Sequence, residues 1–186
     1  MIALSVYFKS TTPKQQMDIA LQECNKVLLE DFRPSHEFEP NDAPDLLLIG
    51  RDTSFEGRYA AVGLLTLDHT EVSRAWELGT MSAKKAYSHG KLFAFFMQCV
   101  PGIILNTMQG DNVAPAWIVK RVAQSNKRHI NLLKTMGFVE PAHFMIGVLS
   151  NEGYIPFDPF DEVLMKLRIC PPESETKKVE QASDSD

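Results

Sequence analysis

Acidic residues are nearly absent from the middle of this sequence, although the chain as a whole has a net charge of -5. Between Leu78 and Val139 the only acid is Asp111, and the same stretch carries eight lysines and arginines. Eight positive charges and one negative leave +7 there, so the rest of the chain holds -12. The pattern favours an anionic ligand bound by the middle of the chain, with chance placement of solvated charges as the alternative. Nucleic acid is a disfavoured partner, because the whole protein would repel a polyanion.

Cysteine is scarce as well, and Cys24, Cys99 and Cys170 lie far apart. An odd, widely spaced set indicates reduced thiols and excludes the ligand spacing of a metal site. No apolar run approaches the roughly 18 residues of a membrane span. The first eight residues lack the basic region and cleavage site of a signal peptide. These absences predict a cytoplasmic protein with no metal and no membrane partner.

The chain of 186 residues, 44% hydrophobic and 23% charged, has the composition of one globular domain. Alternating and helical periodicities predict elements in a fixed order. These are a strand at 2–8, a helix at 13–32, strands at 45–50, 59–67 and 72–82, a helix from 88 that Pro101 interrupts or kinks, a helical or extended piece at 102–108, a strand at 117–123, a helix at 126–138, and strands at 143–150 and 162–169.

This order predicts an α/β fold in which helices flank a mixed central β-sheet in a single domain. We expect the domain to span residues 1–172. Residues 173–186 contain five acids and two lysines and predict a disordered acidic tail.

The segment from Asn126 to Phe138 reads as a short helix with both ends marked. Asn126 is a good N-cap, and Gly137 stands where a left-handed residue ends a helix. Lys127 and Arg128 occupy the first turn, where the helix dipole disfavours cations. An anion bound at that end would explain them, and phosphate is the usual candidate.

This segment, together with the order of elements, resembles the GCN5-related N-acetyltransferases (GNAT). In that family an Arg-Gly-x-Gly-x-Gly/Ala loop holds the pyrophosphate of acetyl-CoA, and a later helix carries Asn-x-x-Ala-x-x-Leu-Tyr-x-x-x-Gly-Phe. The later motif is present at 126–138, and the earlier one corresponds to His89-Gly90-Lys91-Leu92-Phe93-Ala94. The resemblance implies a GNAT-like fold, acetyl-CoA as cosubstrate, and transfer of an acyl group to an amine of a small molecule or a protein.

The resemblance also implies site residues. The expected cofactor-binding residues are Met81, Ser82, His89, Gly90, Lys91, Leu92, Phe93, Ala94, Asn126 and Arg128. Glu77, on the strand before the loop, is the candidate general base. The alternative for Glu77 is an ion pair across strands with Arg74 or Lys120.

Two positions depart from the family pattern. Leu92 replaces the central glycine of the loop, where the backbone must approach the phosphates closely. Leu133 stands where the family usually has the tyrosine that protonates the departing thiolate, and leucine has no proton to donate. His129 is a candidate replacement.

The His129-Ile130 pair within the later motif looks most like the acetyltransferase-like proteins of tailed bacteriophages, including the internal virion protein of the T7-like group. This likeness implies an alternative: a catalytically inactive GNAT-fold protein of a bacteriophage, acting in virion structure or assembly. Its partners would be virion or assembly proteins, and it would lie in the host cytoplasm or the virion.

Overall fold

The computed structural model describes residues 1–30, 38–39, 42–54, 60–70, 75–107, 116–140 and 160–169. The described ranges contain, in order, β1 (Ile2–Phe8), α1 (Lys14–Glu30), β2 (Leu46–Asp52), β3 (Ala60–His69), β4 (Ala75–Ala83), α2 (His89–Thr107), β5 (Ala116–Ala123), α3 (Lys127–Thr135) and β6 (Glu162–Ile169). No helix among them has the length and apolar character needed to cross a membrane.

The predicted order of elements is confirmed within these ranges. The predicted strand at 143–150 and the predicted tail at 173–186 lie outside the described residues. Pro101 does not end its helix, because α2 runs on to Thr107, so the piece after it is helical and not a strand. Val100 and Ile104 are fully buried on either side of the proline, and this packing holds both halves of α2 on the core.

The six strands form one sheet in the order β1-β2-β3-β4-β5-β6. Neighbours are antiparallel except β4 and β5, which are parallel. Their ladder is short: Ala75 to Glu77 pair with Trp117 to Val119, although β4 continues to Ala83 and β5 to Ala123. The two strands therefore separate over their second halves.

Helices cover both faces of the sheet. The larger core cluster joins α2 and α3 to one face through Phe93, Phe96 and Leu133, all of which are almost completely buried. The second cluster joins α1 to the opposite face through residues such as Cys24 and Leu28. Burial of these apolar side chains is the main term that holds the layers together.

The contact between α2 and the sheet depends on a glycine. Leu92, in the first turn of α2, is 5% exposed and packs against Gly63 of β3. A Cβ on Gly63 would lie far inside van der Waals contact with Leu92 Cδ2 and 2.9 Å from the carbonyl oxygen of Ser82. Since the second neighbour is backbone, the strand itself would have to move.

We expect Gly63→Ala to destabilise the protein by about 1–3 kcal/mol, because the added methyl group overpacks this contact. The matched control is Gly102→Ala in α2, where an added Cβ meets nothing within 4 Å. That substitution removes a flexible residue from a helix interior and should stabilise by roughly 0.5–1 kcal/mol. Urea unfolding of both variants tests this, and equal effects would contradict the packing argument.

Candidate functional site

The gap between β4 and β5 is spanned by a lysine side chain. Lys120 Nζ donates to the carbonyl oxygens of Leu78 at 2.8 Å and Gly79 at 2.9 Å, just beyond the last paired residues of β4. Burial lowers the pKa of the Lys120 ammonium; the charge of Glu77 opposes this effect and that of Arg121 adds to it. The lysine thus binds the free edge of β4 without closing the gap.

The opposite side of β4 is irregular at the same level. The register between β3 and β4 shifts between Leu65 and Leu67, and Thr66 Oγ1 accepts the Thr80 amide at 2.8 Å. A Cβ on Gly79 would collide with Thr66 Oγ1 and come within 3.5 Å of Asp68 Oδ2. Only glycine leaves room there, so the Asp68 carboxylate and the Lys120 ammonium both lie close to Gly79.

A groove with a volume of about 1260 Å³ passes this point. Its lining includes the halves of β4 and β5 that do not pair with each other, the end of β3, and the first turns of α2 and α3. Four lining residues stand at the starts of these two helices: His89, Gly90, Asn126 and the cationic Arg128. Carboxylates lie elsewhere in the lining, at Asp42, Asp45 and Asp68. The groove therefore has a basic region at the two helix starts and an acidic region with the three carboxylates, and Lys9, Lys120 and Arg121 add cations to the lining outside the helix starts.

The start of α3 is built as predicted. Asn126 Oδ1 accepts the His129 amide at 3.1 Å. At the other end Gly137 has φ +86°, and its amide donates to Lys134 O at 3.1 Å, while the Phe138 amide donates to Leu133 O at 3.1 Å. These bonds fix α3 and so fix the position of its first turn.

Arg128 extends from that first turn into the groove. Its guanidinium makes no hydrogen bond or ion pair with any residue in the described ranges. A cation without a partner at a helix start is able to bind an anionic ligand.

The loop before α2 is tied to the rest of the domain at two places. Tyr87 Oη donates to the Asp52 carboxylate at the end of β2. Lys84 Nζ lies 2.8 Å from Glu30 Oε1 at the end of α1. The two contacts hold the chain where it enters α2 and thereby position His89.

The groove brings together half of the predicted cofactor-binding residues: Met81, His89, Gly90, Asn126 and Arg128. The other five are absent from its described lining. Ser82, Leu92 and Phe93 are buried, Lys91 is exposed, and Ala94 is half-buried. The amide of Leu92 donates to Ser88 O at 3.0 Å, because residues 89–94 of the motif lie within the first turns of α2. Contact between CoA and these five residues stays a prediction.

Glu77 forms an ion pair, and its partner is Arg121. Arg121 Nε lies 2.8 Å from Glu77 Oε1, and Arg121 Nη2 lies 3.1 Å from Oε2. The predicted partner Lys120 binds backbone carbonyls instead, and Arg74 lies outside the described residues. Glu77 is not in the groove lining, whereas Arg121 is. Its role as base stays a prediction, and Arg121 already binds both of its carboxylate oxygens.

The position that lacks the usual acid and its candidate replacement occupy different places. Leu133 is fully buried in the core, so its position lies away from the groove. His129 lines the groove, with its ring centroid 6.3 Å from that of Phe93. It belongs to the same helix start as Arg128.

Sequence reasoning missed Lys120 and Asp68 as site residues. For Lys120 a signal existed: in β5 it alternates with Ile118 and Val122, which are buried in the core that α2 and α3 share. A lysine in that series lies on an apolar face and needs a specific partner. For Asp68 no local signal existed, because its place depends on the irregular pairing of β3 and β4.

No protein-family model and no curated protein matches the sequence. Solved structures do match. The ribosomal-protein-S18-alanine N-acetyltransferase from Escherichia coli is 11% identical, with 94% of this chain and 98% of that chain covered and a TM-score of 0.58. The aminoglycoside 6'-acetyltransferase type Ii is 10% identical, with 91% and 99% covered and a TM-score of 0.58. An acetyltransferase of the GNAT family from Staphylococcus aureus Mu50 is 13% identical, with 91% and 99% covered and a TM-score of 0.52.

At these identities the likeness establishes the fold. The chain has the GNAT acetyltransferase fold, in which helices flank a mixed six-stranded sheet, as one domain that covers most of its length.

We expect Asn126→Ala to cost about 1 kcal/mol of stability, because it removes the side-chain acceptor that caps α3. Asn126→Ser should lose little, since serine caps equally well. The matched control is Asn131→Ala, within the same helix, where alanine improves helix propensity. Thermal unfolding measured by circular dichroism tests this, and a similar loss for both alanine variants would show that the cap does not matter.

Proposed function

We propose that the protein transfers an acyl group from acetyl-CoA to an amine. The observation that carries the proposal is the groove at the separation of β4 and β5, which has Arg128 at a helix start and three carboxylates in one lining. Such a groove offers a site for an anionic donor beside a site for a cationic acceptor. The GNAT fold of the chain agrees with it.

The basic region fits the donor. The pyrophosphate would be held by the amide groups at the start of α2, with His89 and Gly90, and by Arg128 at the start of α3. Asn126 contributes by fixing the first turn of α3. Met81 lines the groove on the half of β4 that does not pair with β5, beside the path toward Gly79. Bound there, acetyl-CoA would supply an activated acyl group.

The acidic region fits the acceptor. The carboxylates of Asp42, Asp45 and Asp68 would attract an ammonium group, whether it belongs to a small molecule or to a protein. The amine must lose a proton before it can attack, so a base is needed. Desolvation raises the pKa of the Asp68 carboxyl, although the residue is exposed, and the charges of Asp45 and Glu77 act in the same direction. The hydrogen bond from the Asp45 amide and the charge of Lys9 act in the opposite direction. Asp68 therefore competes with the predicted Glu77 for the role of base.

The alternative function is that of an inactive GNAT-fold protein in bacteriophage virion structure or assembly. The observation in its favour is Leu133, which is buried and has no hydroxyl where the family usually has one. The phage-like His129-Ile130 pair supports the same alternative.

Calorimetric titration with acetyl-CoA tests the donor site. We expect Arg128→Glu to weaken binding about 10- to 100-fold, because a charge-assisted bond is replaced by repulsion. The matched control is Lys134→Glu, which makes the same change of charge at the far end of α3, outside the groove lining. It should bind acetyl-CoA within about twofold of the wild type, since exposed charges at that distance are screened.

Absence of binding at millimolar acetyl-CoA would overturn the proposed function. Equal losses in the two variants would show that the phosphates lie elsewhere. Binding without transfer to any amine in a mixed panel would favour the inactive protein.

Steady-state kinetics with any amine that is turned over separate the two candidate bases. If Asp68 is the base, Asp68→Asn should lower kcat about 100-fold or more, the size of a general-base contribution. Glu77→Gln should then act mainly on stability, because it breaks the pair with Arg121. The reverse ranking would restore Glu77 to the role.

A further inference from the structure

The Lys120 ammonium has one N–H left over. Two of its three donors bind Leu78 O and Gly79 O, and no further hydrogen bond or ion pair joins it to any described residue. The residue also lines the groove. Its third N–H is therefore available to a ligand at the separation of β4 and β5.

The position of this N–H along the groove can be related to the proposed donor. If the phosphates lie at the starts of α2 and α3, the remainder of the molecule follows the free half of β4 from Met81 toward Gly79. The paired part of the sheet begins at Glu77 and Val119 and blocks further passage. The thioester end thus comes to rest where Lys120 binds the carbonyl oxygen of Gly79.

Resting on the function proposed above, we propose that Lys120 is the general acid of the reaction and protonates the departing CoA sulfur. The amine nitrogen forms a bond to the thioester carbon, and the C–S bond breaks with its electron pair on sulfur. Lys120 Nζ gives a proton to that sulfur and becomes a neutral amine. The base takes the proton that the attacking nitrogen loses, and solvent returns a proton to Lys120. The products are the amide and free CoA thiol.

Other donors in the site suit this role less well. Arg121 lines the groove, but a guanidinium does not release its proton, and it is paired with Glu77. His129 belongs to the helix start where the phosphates would lie. Leu133 has no proton to give. Lys120 can give one, and the lowering of its pKa by burial makes the release easier.

Two charged groups act on Lys120: Glu77 of β4 is negative and Arg121 of β5 is positive. Asp68 of β3 and Arg128 of α3 line the same groove. None of these forms an ion pair with the lysine in the described residues. A thiolate placed there would be the first anion in direct contact with it.

The test needs no knowledge of the acceptor amine. Free CoA thiol is bound to the full-length protein, and its ionisation is followed against pH by the ultraviolet absorbance of the thiolate. An ammonium within contact distance should raise the thiolate fraction about tenfold in the wild type relative to Lys120→Gln. Glutamine is neutral but keeps an N–H for the carbonyls of β4. Lys120→Arg, which keeps the charge, should resemble the wild type.

Measurement of kcat distinguishes the effect of the positive charge at position 120 from proton transfer by Lys120. Lys120→Arg should bind acetyl-CoA within about twofold of the wild type yet lose kcat about 100-fold, because it cannot release a proton. Wild-type kcat in Lys120→Arg would overturn the assignment as acid, and an unchanged thiolate fraction in Lys120→Gln would overturn the contact itself. Should Lys120→Gln fail to fold, Lys120→Met serves as the neutral variant. Failure of the wild type to bind CoA would instead remove the proposed function, and with it this inference.

Discussion

The limited pairing of two parallel strands is the constraint on which this structure depends. β4 and β5 share a ladder only from Ala75 to Glu77, and every later residue of β4 on that side must find other partners for its backbone. Lys120 satisfies two of the carbonyls, those of Leu78 and Gly79, with a side chain and so leaves the gap open. An unpaired strand edge inside a protein is costly unless its polar groups are bonded. The lysine supplies those bonds where a neighbouring strand would otherwise have to.

The packing around the gap follows from the same arrangement. α2 approaches the sheet closely because Gly63 admits Leu92, and α3 is fixed by its two caps. Both helices then direct their first turns at the groove. On the other side of β4, Gly79 leaves room for Thr66 and Asp68. Two glycines in neighbouring strands thus set where the basic and acidic regions lie. A larger residue at Gly63 would displace α2, and a larger residue at Gly79 would displace Thr66 and Asp68.

Local signals in the sequence were sufficient for α3. Its caps depend on residues within the segment itself, and the bonds of Asn126 and Gly137 are those that their residue types favour. Leu92 could not be interpreted in the same way. In the motif Leu92 replaces a glycine that lets the backbone approach the phosphates. In the fold its side chain fills the space above Gly63, which lies on β3 and is distant in sequence. The partner of Glu77 was equally hidden, because it depends on the register of a parallel pair. Val119 lies opposite Glu77, and Arg121, two residues further on, is on the same face of the sheet.

The absence of a hydroxyl at Leu133 argues less strongly against catalysis when Lys120 lies at the gap between β4 and β5. A buried leucine there strengthens the core that joins α3 to the sheet. With Lys120 of β5 as proton donor, a donor on α3 is unnecessary, because Lys120 lies at the separation of β4 and β5. If the strand supplies the acid, the helix is free to pack tightly. The leucine then has a structural reason, and the lack of a hydroxyl at this position is no longer by itself an argument against catalysis.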